Sequence, residues 1–155
     1  MRKSPQIGLI LATLFMLILT SAKAQNALEH VYEYALGSSF QSCRSGLKTK
    51  KTKLDTDKYS YIQYKESGHQ VYMQFDAGLR EISSTRKFET KQSKEAMEYF
   101  NSLLKEIKQK MGESSSQQHK EKVILRYIWK LEKASLYLTF DTPENSVSVK
   151  LESAS

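Results

Sequence analysis

The fold of this chain is constrained most by two stretches in which apolar residues alternate with others. A stretch of helical period separates the two. Val71, Met73 and Phe75 alternate with polar or aromatic residues, which is typical of a strand with one buried face. The same period of two returns in residues 123–131. Between them, residues 93–112 place apolar side chains at spacings of three and four, the pattern of an amphipathic helix. A chain with this order has to bury one face of a sheet under helices.

The first half of the pattern predicts one helix and three strands. Residues 25–37 show helical spacing, although a strand beginning within them is an alternative. Ser38 or Ser39 can cap a short helix that runs to about Leu47. Residues 59–88 then predict a three-stranded antiparallel meander, which includes Tyr59, Tyr61 and Tyr64 on its first strand.

The second half repeats this order with a stronger helix. Ser93 is predicted to cap it, and Gly112 to end it in a left-handed turn. A polar linker, residues 113–118, then leads to a second three-stranded meander over residues 123–151. The predicted fold class is α+β: two α-β-β-β units, about 36–89 and 90–155, whose joint antiparallel sheet is covered by two helices. The predicted apolar stripe of the second helix comprises Ala96, Met97, Phe100, Leu103, Leu104, Ile107 and Met111.

Three short motifs give this order a resemblance to known families. They are Leu36-Gly37-Ser38-Ser39 before the first helix, Phe75-Asp76-Ala77-Gly78-Leu79 between two strands, and Met111-Gly112 followed by Trp129. The arrangement resembles the tandem α-β-β-β architecture of the β-lactamase-inhibitor-like and outer-membrane-assembly-lipoprotein-like proteins. The chain lacks the lipidated cysteine of the lipoproteins and the disulfides of the inhibitors. The resemblance implies a fold used mainly for binding other macromolecules.

Residues 1–24 have the three parts of a secretory signal peptide. Arg2 and Lys3 supply the positive end, and the apolar run from Ile7 to Leu19 is shorter than the ~20 residues that span a bilayer. Ala22-Lys23-Ala24 provides small residues at the cleavage positions. We therefore expect cleavage before Gln25, export to the periplasm or the exterior, and a single mature domain, residues 25–155, that is not an integral membrane protein.

Charge and cysteine content exclude several classes of function. The leader holds three of the 24 basic residues and none of the 17 acidic ones, so the mature net charge is +4. That balance is too weakly basic to favour nucleic acid as a partner. Cys43 has no disulfide partner within the chain; it could be a nucleophile or an intermolecular bridge, but a small buried residue is the favoured interpretation.

The sequence contains no motif for catalysis, for a metal or for a cofactor. His30, His69 and His119 are scattered, and no phosphate-binding loop or nucleophile elbow is present. We therefore expect a non-catalytic exported binding or interaction module of the cell envelope. An enzyme whose site is assembled from residues distant in sequence is one alternative, and a lipid- or glycan-binding surface protein is another.

Two groups of residues are candidates for contact with a partner, which we expect to be another protein or an envelope component. Tyr72 and Tyr137 point away from the apolar positions of their own strands, so they would form an exposed aromatic patch if helices cover the other face. Cross-strand pairing on a solvated sheet is the competing interpretation. The second group is a basic run that could contact anionic lipid or glycan, or be a solvated loop. Its lysines are Lys48, Lys50, Lys51 and Lys53.

Overall fold

One antiparallel sheet of eight strands dominates the computed structural model, which describes residues 27–49, 53–57, 59–120 and 124–154. The strands lie in the order β1-β2-β3-β4-β8-β7-β6-β5. They are β1 Leu54–Thr56, β2 Tyr61–Glu66, β3 His69–Phe75, β4 Leu79–Lys87, β5 Ser116–Lys120, β6 Ile124–Lys130, β7 Ala134–Asp141 and β8 Ser146–Ser153. The predicted signal peptide and its cleavage site lie outside the described residues.

Three helices accompany the sheet in the described part of the chain. Residues 27–32 are helical and are called α1. α2 spans Phe40–Thr49, and α3 spans Ser93–Met111 after a 3-10 turn at Thr90–Gln92. Within the described ranges, none of the helices combines the length and the apolar character that a membrane span requires. The predicted α+β class agrees with this architecture.

The two halves of the chain meet through a single strand pair. β4 pairs with β8 in an unbroken register that sets Ile82 opposite Leu151 and Ser84 opposite Val149. Strands β1–β4 form one half of the sheet and β5–β8 form the other, so the β4–β8 pair joins the two halves into one continuous sheet.

The described residues form eight strands where the sequence pattern predicted six. β5 begins inside the predicted linker 113–118, and β1 lies in the stretch between the first helix and the first predicted meander. Ser116–His119 are exposed, so β5 shows no apolar alternation. Its pairing with β6 is made by backbone groups, which no side-chain pattern reports. Both missed strands are edges of the sheet.

Side chains from alternate strand positions meet in one core under the helices. Val71 lies opposite Ser84, Ile82 opposite Leu151, and Leu138 opposite Val149, all on the same face. The helices pack on this core face. The residues that are completely enclosed there include Val31, Leu47, Ile62, Met73, Phe100, Leu103, Ile107 and Leu136.

The ends and the stripe of α3 differ slightly from the prediction. Gln92 is the N-cap, while Ser93 is the first helical residue and its hydroxyl donates to the carbonyl of Thr90. Gly112 ends the helix with a positive φ of 80°, but its ψ of −164° lies outside the left-handed turn that was predicted. Met97 is 38% exposed, whereas Tyr99 is buried because its ring lies against Phe88 and its hydroxyl donates to His69 of β3.

Two apolar residues assigned to strands lie outside them. Tyr59 precedes β2, has a positive φ of 76° and packs edge-on against Phe40. Leu131 follows the end of β6 and is 39% exposed. The bend after Lys130 carries Leu131 off the strand, so the alternation that includes Tyr127 and Trp129 stops one residue earlier than predicted.

Cys43 provides a direct test of the packing of α2. The thiol is completely buried, and burial raises its pKa to about 11. We expect it to react with a bulky disulfide reagent only after denaturation, because it is both enclosed and uncharged. Cys43→Ala should cost on the order of 1 kcal/mol. Rapid labelling of the native protein, or a disulfide-linked dimer as the main form, would contradict this.

Candidate functional site

The face of the sheet opposite the core, here called the open face, is the first candidate surface. Helix side chains reach the other face: His30 of α1 contacts Ser84, Phe40 of α2 lies against Phe75, and Phe100 of α3 lies against Phe140. Side chains that alternate with this core set therefore point away from the described helices. Most of them are partly exposed.

One row of the open face crosses all eight strands and contains both predicted tyrosines. Tyr72 on β3 lies opposite Ser83 on β4, and Ser83 lies opposite Lys150 on β8. Lys150 lies opposite Tyr137 on β7. With neighbouring strands ~4.8 Å apart, the two tyrosines are about 14 Å from each other. In strand order, the row is Asp55, Gln63, Tyr72, Ser83, Lys150, Tyr137, Ile128 and Ser116.

Tyr72 is held by a second tyrosine. Its ring stacks on that of Tyr61, with centroids 5.9 Å apart and planes 22° from parallel. The carboxylate of Asp55 on the edge strand β1 raises the pKa of the Tyr61 hydroxyl. The stacked pair therefore adds a second ring beside the row near its β1 end.

Tyr137 is held by a charged cluster in the middle of the sheet. The ammonium of Lys150 lies 4.6 Å from its ring centroid, 2.9 Å from Glu152 and 3.5 Å from Glu81. Burial disfavours the charged ammonium, but the two carboxylates outweigh it and raise the pKa of Lys150. The same hydrogen bond from Lys150 lowers the pKa of Glu152. The cluster is therefore ionised and fixed in place.

The structure describes two lysines of the basic run, Lys48 and Lys53. Lys48 is exposed in the last turn of α2, so it lies in a helix and not in the predicted loop. Lys53 is exposed just before β1. Lys50 and Lys51 lie outside the described residues. Lys53 lines an open pocket at the β1 edge together with Asp55 and Gln63, so it lies near the β1 end of the row that holds Tyr72 and Tyr137.

A second polar cluster, unexpected from the sequence, lies inside the protein. The rings of His30 on α1 and His69 on β3 meet edge-on, with centroids 5.4 Å apart. Glu66, Ser84 and Tyr99 surround them. These five residues, here called the histidine cluster, come from five different elements. A buried polar residue at an apolar position of a strand, such as Ser84 in β4, is the one sequence signal that could have marked it.

His30 links a serine to a carboxylate. Its Nε2 lies 3.0 Å from Glu66, and its Nδ1 lies 3.2 Å from the Ser84 hydroxyl. When Nε2–H donates to the carboxylate, Nδ1 accepts from the hydroxyl. Serine, histidine and carboxylate in this order are the chemistry of a nucleophilic site. Ser84 is only 1% exposed and His30 6%, however, so no substrate reaches the hydroxyl in this conformation.

His69 is held as a neutral ring. Its Nδ1 is 3.0 Å from the carbonyl of Ser67, to which it donates, and its Nε2 is 2.8 Å from the Tyr99 hydroxyl, from which it accepts. Burial, followed by the neighbouring His30, lowers the pKa of His69 to about 4. Burial also raises the pKa of Tyr99 to about 12. The hydrogen bond therefore joins two uncharged groups and ties α3 to β3.

Neither candidate site is built to hold a metal ion. In the ranges that the structure describes, no group of three or more His, Cys, Asp and Glu side chains has the arrangement of a metal site. The histidine cluster contributes two imidazoles and one carboxylate, but His69 already uses both ring nitrogens on Ser67 and Tyr99.

Comparison with known proteins yields one distant structural neighbour. The crystal structure of a DUF4309 family protein (YjgB) from Bacillus subtilis is similar over 64% of this chain and 68% of that one, with 11% identity and a TM-score of 0.39. No family model and no curated protein matches the sequence. A likeness at this level assigns neither a family nor a function, and the families that the sequence resembles gain no support from it.

Proposed function

We propose that this protein is an exported, non-catalytic binding module that contacts another protein through the open face of its sheet. The observation that carries the proposal is the continuous row in which Tyr72 and Tyr137 flank Ser83 and Lys150. Tyrosine is enriched where proteins bind one another, because it supplies a large contact area with few rotatable bonds. The signal-like residues 1–24 support export.

The row is preorganised for binding. Tyr72 is stacked on Tyr61, and Tyr137 lies against the ammonium of Lys150. Ordering a free side chain at an interface costs about 0.5–1.5 kcal/mol, and these rings have lost most of that freedom already. Because Glu81 and Glu152 together outweigh the single positive charge of Lys150, the middle of the sheet is weakly negative, and the partner should present a polar, weakly basic surface to it.

The histidine cluster favours this proposal over the enzymatic alternative. It does assemble residues distant in sequence, but its serine and both imidazoles are enclosed by α1 and α3. The polar groups there join helices to strands. We therefore assign the cluster to stability and the open face to binding. We further propose that the sheet is two α-β-β-β repeats, each extended by one edge strand.

Site-specific photo-cross-linking tests the proposal in the native host. A photoreactive residue in place of Ser83, at the centre of the row, should trap a protein of the envelope. The matched control replaces Ser102, an exposed serine on the outer side of α3. Adducts from position 83 alone are the expected result. No adduct from position 83, or equal adducts from both positions, would overturn the proposal.

With the trapped partner in hand, the tyrosines can be tested quantitatively. Tyr72→Ala and Tyr137→Ala should each weaken binding by at least ~10-fold, because aromatic anchors at the centre of an interface cost about 2 kcal/mol or more when truncated. Both side chains are partly exposed and each loses one ring contact, so the free energy of unfolding should fall by only about 0.5–1.5 kcal/mol. Calorimetric titration measures the affinity of each variant for the partner. Lys48→Ala is the control, and its affinity should not change if the partner contacts the row and not the basic run.

A further inference from the structure

Two open pockets on the open face meet at Lys65, near the end of β2. The first lies against the edge strand β1, has a volume of about 240 Å³ and is lined by Lys53, Asp55 and Gln63 as well as Lys65. The second has a volume of about 310 Å³ and lies between the β2–β3 turn and β4. Its lining residues are Lys65, Gly68, His69, Gln70, Thr85 and Lys87. We call the two pockets together the lysine corner.

Strand register sets the polar side chains of the second pocket next to one another. Lys65 of β2 lies opposite Gln70 of β3, and Gln70 lies opposite Thr85 of β4. Lys87 follows Thr85 by two residues on the same strand and therefore points to the same face. With strands ~4.8 Å apart and residues ~3.4 Å apart along a strand, the backbone positions of the two lysines are about 12 Å from each other. Both long side chains can therefore reach one ligand in the pocket.

Two lysines of the corner stand side by side without a carboxylate partner. Extending the register of β1 and β2 by one residue sets Lys53 opposite Lys65. Neither ammonium has an ion pair among the residues that the structure describes. Asp55 accepts a hydrogen bond from the hydroxyl of Tyr61, which lies at the far end of β2 from the corner. Like charges in opposite positions of neighbouring strands repel each other, so a bound anion would stabilise this arrangement.

The third lysine is held only by an exposed ion pair. Lys87 lies 2.9 Å from Glu144, and the two side chains are 64% and 62% exposed. Such a pair contributes little to stability, because water screens both charges and both long side chains lose freedom when they pair. An oxyanion in the second pocket can therefore replace Glu144 as the partner of Lys87.

The side chains between the lysines favour a ligand that has hydroxyl groups as well as a negative charge. Gln70 is exposed and Thr85 is half-buried, and their amide and hydroxyl groups both donate and accept hydrogen bonds. The hydroxyls of a sugar do the same, while a carboxylate or phosphate on the sugar takes charge-assisted hydrogen bonds from ammonium groups. A lipid surface fits less well, because no large apolar side chain that the described residues expose lines either pocket. Those side chains are Tyr32, Tyr59, Met97 and Leu131.

We infer that the lysine corner binds an anionic sugar unit of an acidic polysaccharide. The oxyanion of the sugar lies among Lys53, Lys65 and Lys87, and its hydroxyls bond to Gln70 and Thr85. This site goes beyond the function proposed above and does not depend on it. The cross-linking experiment tests the row of tyrosines, whereas the experiment below tests the corner, so either proposal can fail alone.

Nuclear magnetic resonance titration of the isotope-labelled protein tests the corner with two acidic sugars, a galacturonate trisaccharide and a hexose phosphate. At least one should shift the backbone amides of residues 65–70 and 85–87, and the tighter of the two identifies the oxyanion. The methyl ester of the trisaccharide keeps the hydroxyls without the charge, and inorganic phosphate has the charge without the sugar. Each should bind about 10-fold more weakly than the tighter acidic sugar. No shift with either acidic sugar, equal binding of inorganic phosphate, or preferred binding to phosphatidylglycerol vesicles would overturn the inference.

Matched variants separate the corner from the net charge of the protein. In ~0.15 M salt, where the Debye length is ~8 Å, Lys65→Gln should weaken the acidic sugar about fivefold. Thr85→Val keeps the shape of the side chain but loses the hydroxyl, and should weaken it about threefold. Lys130→Gln removes the same charge from an exposed lysine about 24 Å away on β6 and should change the affinity less than about twofold. Equal weakening by Lys65→Gln and Lys130→Gln would assign the effect to net charge and overturn the inference.

Discussion

Replacing Trp129 with alanine should lower the free energy of unfolding by about 3–5 kcal/mol, the usual range for emptying a large aromatic site. The indole is 2% exposed, lies 6.2 Å from the ring of Tyr127, and donates from Nε1 to the carbonyl of Gly112 at 3.0 Å. It therefore fills the core and also satisfies a carbonyl at the C-terminal end of α3. A domain of ordinary stability has ~5–15 kcal/mol in total, so the variant should be marginal or unfolded.

Chemical denaturation measures this loss of stability. Two further variants separate the contribution of packing from that of the hydrogen bond and provide an exposed control. Trp129→Phe keeps most of the volume but loses the hydrogen bond, which should cost about 1–2 kcal/mol. Leu131→Ala changes an exposed side chain two residues away and should cost less than about 0.5 kcal/mol. The fluorescence of Trp129 in the native protein should be blue-shifted and protected from quenching by iodide. If the emission instead resembled that of an indole in water and iodide quenched it freely, the assignment of Trp129 to the buried face of β6 would be wrong.

Lowering the pH from 6.5 to 4 should remove up to about 3 kcal/mol of stability through His69 alone. Its pKa falls from 6.5 to about 4 on folding, chiefly because the ring is buried. Between these values the unfolded chain binds a proton that the folded protein excludes, so acid favours unfolding. The stabilisation is fully present above the unfolded pKa and is lost as the pH falls toward the folded one.

Burial, His30 and Arg86 lower the pKa of His69, whereas its backbone hydrogen bonds with Ser67 and Glu66 raise it by less. His30 and Arg86 both disfavour a second positive charge at this position, and Glu66 and Tyr99 complete the surroundings. Carboxylates elsewhere, such as Glu152, also lose stabilisation in acid. The informative quantity is therefore the difference in unfolding free energy between the wild type and a variant at each pH.

His69→Gln keeps a donor and an acceptor but cannot be protonated in this range. It should be less stable than the wild type at neutral pH, with a difference that shrinks as the pH falls to about 4. His119→Gln replaces an exposed histidine of β5 and should follow the wild-type curve at every pH. A constant difference between His69→Gln and the wild type would show that the ring does not titrate as described.

The local spacing of apolar residues was enough to predict the elements that bury one face and expose the other. The apolar stripe of α3 and the alternation in β3, β7 and β8 were readable because each of these elements buries one face and exposes the other. The same alternation placed Trp129 in the core and predicted that Tyr72 and Tyr137 face away from it. The edge strands β1 and β5 were missed, since they are held by backbone hydrogen bonds that side-chain spacing does not encode.

The tertiary structure decided what depends on pairing between distant segments. Tyr72 and Tyr137 share one row only because β4 pairs with β8 in a particular register, and a shift of one residue would turn every side chain of β8 to the other face. His30 and Ser84 are 54 residues apart, and His69 and Tyr99 are 30 apart, so their meeting is a property of how α1 and α3 lie on the sheet. The sequence by itself therefore determined which faces are apolar, whereas long-range strand pairing and helix placement decided which polar groups stand together.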